Sequence, residues 1–570
     1  MARWQRPVGP NDQVIVPTGD TAFVGMDLKT QDPAQMLTGW YQEAYNVRLE
    51  NGGMATRKGC LCPVCYNSAT FGQIYGVGIY SDPNGSEWMA LATANGVWFL
   101  LDGGVPQFIP MTSVINYPVE FSQAFNNFYM WRGNTMPPLR WQGDWSVYWQ
   151  SLPDPSQGSP PDTTRIPMPS ATTAETFNSR MLVPHDRDSL AISDIGEDHY
   201  QWAVNDFRVN FGEADTLVRV FPWVQDTVIC FKTHSIYQLA NVTGDLSATT
   251  LQRLPGKLGL VGMKAVVEIA GDIMFLDSSG VYKISQIFEG SPQASALPIS
   301  DSIKPLIDSI NWNAVDGIRA TSRRERVYFA VPLRNATRNN ALIVYNLIST
   351  SWESVDTFGD PDFRFDDLVK TNYIGERRIF AIDRQKGVVV LLEQGRTDLL
   401  GSDISREFQI QFAVLTRGYA GVGPQNSFPR VGIDLSTWNP NFSVEAFTDG
   451  SNEKKLITNR TKSRTTYETF GKRAWNQANL QDDHATARRK DYSVGFQTGY
   501  PPGLPADQQG FMLGNNGIQV EREQQGTERF DINMRGRFCQ LRIENTVGSI
   551  GIRSVVLEDY EDSREPRHHT

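Results

Sequence analysis

The residues of this sequence whose types and spacing could do chemistry are few, and the most suggestive are Asp194, Glu197 and Asp198. Two carboxylates flanking a glycosidic bond can cleave it, one donating a proton while the other attacks or activates water. The plainer reading, a loop carrying solvated charge, is the one the sequence favours. Cys60, Cys62 and Cys65 form a single cysteine cluster. A structural zinc site needs four ligands, and the nearest histidine, His185, lies 120 residues beyond Cys65. Reduced, partly buried thiols at a strand end are expected instead. Five cysteines, an odd number, do not make a disulfide scaffold. Walker-type Gly-x4-Gly-Lys-Ser/Thr, Gly-x-Gly-x-x-Gly after a strand, His-Glu-x-x-His and Gly-x-Ser-x-Gly do not occur. The expectation is a non-enzymatic protein with no catalytic, cofactor-binding or metal-binding residue.

A basic segment runs through Lys454, Lys455, Arg460, Lys462, Arg464, Lys472, Arg473 and Trp475 to Arg488, Arg489 and Lys490. Glu468, Asp482 and Asp483 dilute it, so a solvated loop or a contact with an acidic neighbour is expected before a DNA site. Formal net charge is −10 over 570 residues. From Ser405 to Thr570, 21 Lys and Arg stand against 20 Asp and Glu, so the acidity falls on residues 1–404, net −11. An acidic body does not bind polyanions by releasing counterions. Nucleic acid passing such a surface would slide along it.

The elements that must position these residues repeat. Asp272-Ile273-Met274-Phe275-Leu276 leads through Asp277-Ser278-Ser279-Gly280 to Val281-Tyr282-Lys283-Ile284, an apolar strand, a polar turn and a second strand. Trp88–Leu100, Thr227–Leu239 and Arg378–Leu392 repeat it, and weaker copies start at Phe128, Met181 and Val327. Turn markers at Gly96, Ser146, His199, Ser235, Gly280, Ala341 and Gly387 are 36 to 61 residues apart. That period suits four-stranded propeller blades. The prediction is an all-β chain with a β-propeller of about seven blades, plus or minus one, over residues 69–400. An ordinary run of hairpins in sandwiches is the alternative.

Around it, residues 1–68 are expected to form an extended, Pro-interrupted arm and a hairpin at Tyr45–Gly59. Pro305 before Leu306–Ile310 predicts a short helix between two blades, capped by Asp301 or Ser302. Alternating segments at Phe408–Val414, Arg430–Leu435, Phe442–Phe447 and Phe530–Met534 predict a β-sandwich-like domain over 401–560, interrupted by a polar insertion, 451–515. Residues 561–570 are expected to be a disordered tail. The first residues lack the apolar core of a secretory signal, and no run approaches the roughly 18 apolar residues of a membrane span. Assembly in a cytoplasm is expected.

Asn46-Val47-Arg48, the Asn51-Gly52 turn and Arg57-Lys58-Gly59, placed before a chain of propeller-like hairpins, resemble the opening of virion proteins of tailed bacteriophages. Arg537–Asn545 and Ile552–Glu558 resemble their closing hairpin. The similarity is greatest to the tail nozzle, or tail tubular, proteins of short-tailed phages, and it rests on about 40 residues that carry no chemistry. It implies a structural subunit of a homohexameric ring at the distal end of a phage tail. The implied partners are a tail adaptor, possible fibre or spike proteins, and DNA crossing the channel without specific binding. A receptor-binding tail protein meeting the host surface, or a glycan depolymerase, is the alternative. Ser81–Trp88 resembles the Ser-x-Asp-x-Gly-x-x-Trp turn of sialidases but places Pro83 where the aspartate belongs.

Overall fold

In the computed structural model the repeated stretch folds as meanders of four antiparallel strands. The residues described are 15–63, 71–101, 104–158, 160–197, 200–202, 205–212, 214–224, 226–244, 246–286, 292–400, 407–420, 426–449, 451–461, 468–469, 519–520 and 524–560. The chain divides into two units: Met26–Gln31 with Lys58–Phe408, and Met1–Gly25 with Asp32–Arg57 and Gln409–Thr570.

In the first unit the meanders lie at 74–110, 120–151, 175–208, 217–253, 266–294, 319–356 and 367–392, called blades one to seven here. Six are blades of separate sheets, and 319–356 repeats the same four-strand order. Central strands are covered on both faces, which is why they read as unbroken apolar runs. Their alternation divides them between neighbours. In blade one, Met89 and Leu91 pack with Phe380 and Ile382 of blade seven, whereas Ala90 and Ala92 pack with Phe128 and Met130 of blade two. In blade three, Met181 and Val183 face blade two while Leu182 faces blade four. Phe231 of blade four lies 5.2 Å from Phe275 of blade five, Ser322 of blade six bonds Glu268 O of blade five, and Tyr328 of blade six packs with Ile379 of blade seven. The circle is complete, a β-propeller.

Closure uses a strand from before blade one. Cys60–Leu61 pairs with the end of Val388–Leu392, Leu392 opposite Cys60, so two distant stretches of chain build blade seven. Gly59 is required there, because a Cβ would stand 1.8 Å from the Thr397 carbonyl oxygen. Cys60 and Cys62 are buried in the core between blades six and seven, and Cys65 lies outside the described residues.

The blade count agrees with the sequence reading, but two turn markers need correction. Gly96, Ser235, Gly280 and Gly387 mark the turn between second and third strands. Ser146 falls instead between the third and fourth strands of blade two, and His199 lies outside the described residues. The second turn of blade three, at 186–188, contains no glycine, whereas that of blade two, at 132–138, carries Arg132-Gly133 but is long and ends in Pro137-Pro138. The predicted helix is Lys304–Asp308, between blades five and six. Its cap differs from the expectation: Ile303 is the cap residue, without a side-chain bond, because Asp301–Ile303 forms a 3-10 turn ahead of it.

In the second unit the predicted hairpin is Val47–Glu50 against Gly53–Thr56, with Glu50 opposite Gly53. Asn51 and Gly52 have φ of 52° and 78°, the mirror-image turn that matches strand twist. Ile15–Asp20 is a strand paired with residues 555–560. Where a sandwich-like domain was expected there is one curled sheet, built on two 23-residue strands, Asn426–Thr448 and Phe538–Tyr560. Val431, Ile433 and Leu435 are buried, then Phe442, Val444 and Ala446, so the buried parity switches within the strand. It switches where the register shifts, between Trp438 and Asn441, as an inserted residue requires. Pro440 lies at this bulge, a place where a strand tolerates Pro. Residues 451–461, expected inside the insertion, are a strand paired with Asn426–Thr448. Most of the rest of the insertion, with Lys462, Arg464 and Lys472 to Lys490, lies outside the described residues, as do 1–14 and 561–570.

Candidate functional site

Because successive strands of a blade are antiparallel, the starts of first strands share one end of the propeller with the second turns. First turns and third-to-fourth loops share the other end. First strands of adjacent blades lie side by side, so residues at their starts converge on the axis.

Charged residues occupy that converging position. Glu120 and Glu175 begin the first strands of blades two and three, Arg219 lies in that of blade four, Lys264 precedes that of blade five, and Arg319 and Asp367 begin those of blades six and seven. Lys264 Nζ is 2.6 Å from Glu120 Oε2 and 3.4 Å from Asp367 Oδ1. Blade five cannot touch both blade two and blade seven unless a side chain spans the middle of the ring. Asp367 also receives Arg384 Nη2 at 2.5 Å and Arg319 Nε at 3.4 Å, while Arg219 meets Glu175 at 2.6 Å. Burial pushes the Asp367 carboxyl up, but the charges of Lys264, Arg384 and Arg319 outweigh it and hold the group below the usual carboxylate range. Burial likewise opposes the charge of Arg384, and Asp367 and Glu120 hold it on. The propeller axis is bridged by ion pairs at this end.

The opposite end carries a cavity of about 810 Å³ between the third-to-fourth loops of blades three and four. Asp194 and Glu197, two of the three acids singled out in the sequence, line it, and Asp198 lies outside the described residues. Their loop is a tight one: Glu197 N donates to Asp194 O, Gly196 N to Ser179 O, and Ser193 Oγ to Glu197 O. Asp194 Oδ2 is 3.1 Å from Arg165 Nε, and Asp194 Oδ1 accepts from Asn205 at 3.4 Å. Arg180, 4% exposed, donates to Ser193 O at 2.5 Å and to Gly244 O at 2.7 Å, tying the two blades together. Burial holds its guanidinium below the ordinary arginine value, against the pull of Asp194. Phe207, Ile195 and Leu246 supply apolar wall.

Comparison with known proteins stops at the fold. No family model and no curated protein matches the sequence. Among solved structures, virginiamycin B lyase from Staphylococcus aureus has 9% identity and a TM-score of 0.37, covering 57% of this chain and 97% of its own. A streptogramin B lyase has 11% identity and a TM-score of 0.36, covering 58% of this chain and 96% of its own. Apo AztD from Citrobacter koseri has 10% identity and a TM-score of 0.32, covering 56% of this chain and 83% of its own. The propeller described above rests on its strand pairing and inter-blade packing.

The sialidase-like turn is a structural turn. Asp82, one position before Pro83, accepts from Asn84 N and Ser86 N at 2.9 Å and from the Trp88 indole at 3.2 Å. Burial works against its charge, and these bonds hold its carboxyl low. Sequence reasoning missed Glu120, Lys264, Arg319, Asp367 and Arg384. For the first four the signal was positional, a charge at or just before the start of a blade's first strand; Arg384 lies in the second turn of blade seven.

Proposed function

We propose that this chain is a structural virion protein, the nozzle subunit at the distal end of a short phage tail. It would be assembled in the host cytoplasm as a hexameric ring on a tail adaptor, with DNA passing through the ring unread. The observation that carries the reading is the pairing of the two segments on which the resemblance rests. Met54 and Ala55 of the hairpin stand opposite Ile552 and Gly551, and Thr56 Oγ1 exchanges hydrogen bonds with Ile550 at 3.0 and 3.1 Å. Similarity in two stretches about 500 residues apart therefore bears on one patch of one sheet. The bridged axis adds that the conduit in this reading is the space enclosed by several subunits, since a ring needs heterologous interfaces that close. Native mass spectrometry of the full chain, alone and with the adaptor, tests it. Six copies in a closed ring are expected, and a chain that stays monomeric with the adaptor present overturns it.

A further inference from the structure

We propose that the cavity between blades three and four binds a neutral saccharide without cleaving it, a role beyond that of a ring subunit. Its volume of about 810 Å³ lies within the roughly 300–1,000 Å³ of small-ligand sites. The charges on its wall select the ligand class. Two guanidiniums, Arg165 and Arg180, face two carboxylates, Asp194 and Glu197, so an anion meets acids and a cation meets arginines wherever it lies. A sugar hydroxyl is donor and acceptor at once and matches such an interleaved wall, which Asn205, Ser247 and Thr249 extend. The apolar faces of Phe207 and Ile195 suit the C–H face of a pyranose ring. The framework is fixed beforehand: both Nη atoms of Arg180 are committed to carbonyls of the two loops, and its buried Nε has no hydrogen-bond partner among the described residues.

Cleavage needs two carboxyl groups with separate roles. Among the described residues Asp194 is held by Arg165 and Asn205, and Glu197 is the one lining acid without an ion pair, so the activity proposed is binding.

Saturation-transfer NMR on the full chain tests this with neutral oligosaccharides of hexoses, 6-deoxyhexoses and N-acetylhexosamines, against sialyllactose and inorganic phosphate. At least one neutral oligosaccharide should bind saturably in the millimolar range. Ser247→Trp, which fills the cavity from an exposed position, should abolish binding, and Asn205→Ala should weaken it about tenfold, one hydrogen bond to the ligand. Thermal melts of both variants would show that the propeller is intact. Binding only of the acidic probes, an unchanged affinity in Ser247→Trp, no binding across the neutral panel, or release of reducing sugar would each overturn the proposal.

Discussion

At the end where first strands begin, Lys264, Arg319 and Arg384 converge on Asp367 and Glu120, and Arg219 meets Glu175. At the other end, in the cavity of blades three and four, the same residue types stand apart: Arg180 donates to carbonyls, Asp194 meets Arg165, and Glu197 makes no ion pair with a described residue. The sites differ in burial as well. The side chains of Lys264 and Asp367 are 23% and 1% exposed, and those of Arg165 and Asp194 are 34% and 8% exposed, a modest difference in the same direction for both partners. Ion pairs that answer one another in a dry setting hold blades together, and those that face an open cavity remain able to meet a ligand. Charge type alone does not tell a strut from a recognition site; the degree of mutual satisfaction does.

The sharpest way to break that contrast is Asp367→Asn. Removing one partner leaves buried Arg319 and the half-buried Lys264 and Arg384 without their shared counter-charge, with Glu120 remaining to the last two, and a loss of about 3 kcal/mol at neutral pH is expected. Since the folded-state value of Asp367 lies below its unfolded value, its stabilisation is fully present above the ordinary carboxylate range. It fades as pH falls through that range toward the folded value. Chemical denaturation of both proteins at pH 7 and at pH 3 should show a gap that narrows in acid. A pH-independent gap, or one under about 1 kcal/mol, would remove Asp367 from the role of keystone.

A smaller effect tests whether opposite blades meet. A double-mutant cycle on Glu120→Gln and Lys264→Met should give a coupling of about 1–3 kcal/mol, the scale for residues in one ion-pair network. Independent effects, adding to within about 0.3–0.5 kcal/mol, would mean that blades two and five do not touch across the axis and that the channel is open there.

How far the sequence could carry a reader follows from the range of each signal. Asp272–Ile284 and Arg378–Leu392 were legible because a strand covered on both faces is apolar throughout and its Gly turn is local. The second turn of blade three was not, because Asp186 takes φ of 50° without glycine. Cys60–Leu61 closing blade seven was out of reach: two residues carry no periodicity, and their partner lies some 330 positions away. The curled sheet was misread as shorter strands because Pro440 breaks the pattern where the bulge sits. Asp194 and Glu197 were visible as acids, but the cavity was not, since Arg165, Asn205 and Ser247 join it from separate segments. Glu120 and Lys264 gave no chemical signal because a charge at a strand end is ordinary until a ring makes such ends converge.

The smallest expected effect completes the contrast at the cavity. Arg165→Met removes one partner of Asp194, whose side chain is only 8% exposed but keeps Asn205, while Arg165 itself is 34% exposed, so a loss of about 1 kcal/mol, below that of Asp367→Asn, is expected. Raising salt should lower the wild-type melting temperature little and shrink the difference between the two proteins, because exposed pairs are screened within about 8–10 Å. If Arg165→Met cost as much as Asp367→Asn, the rim pair would be a strut as well. The cavity wall would then be a structural joint between blades three and four, and Glu197 alone would remain to face a ligand.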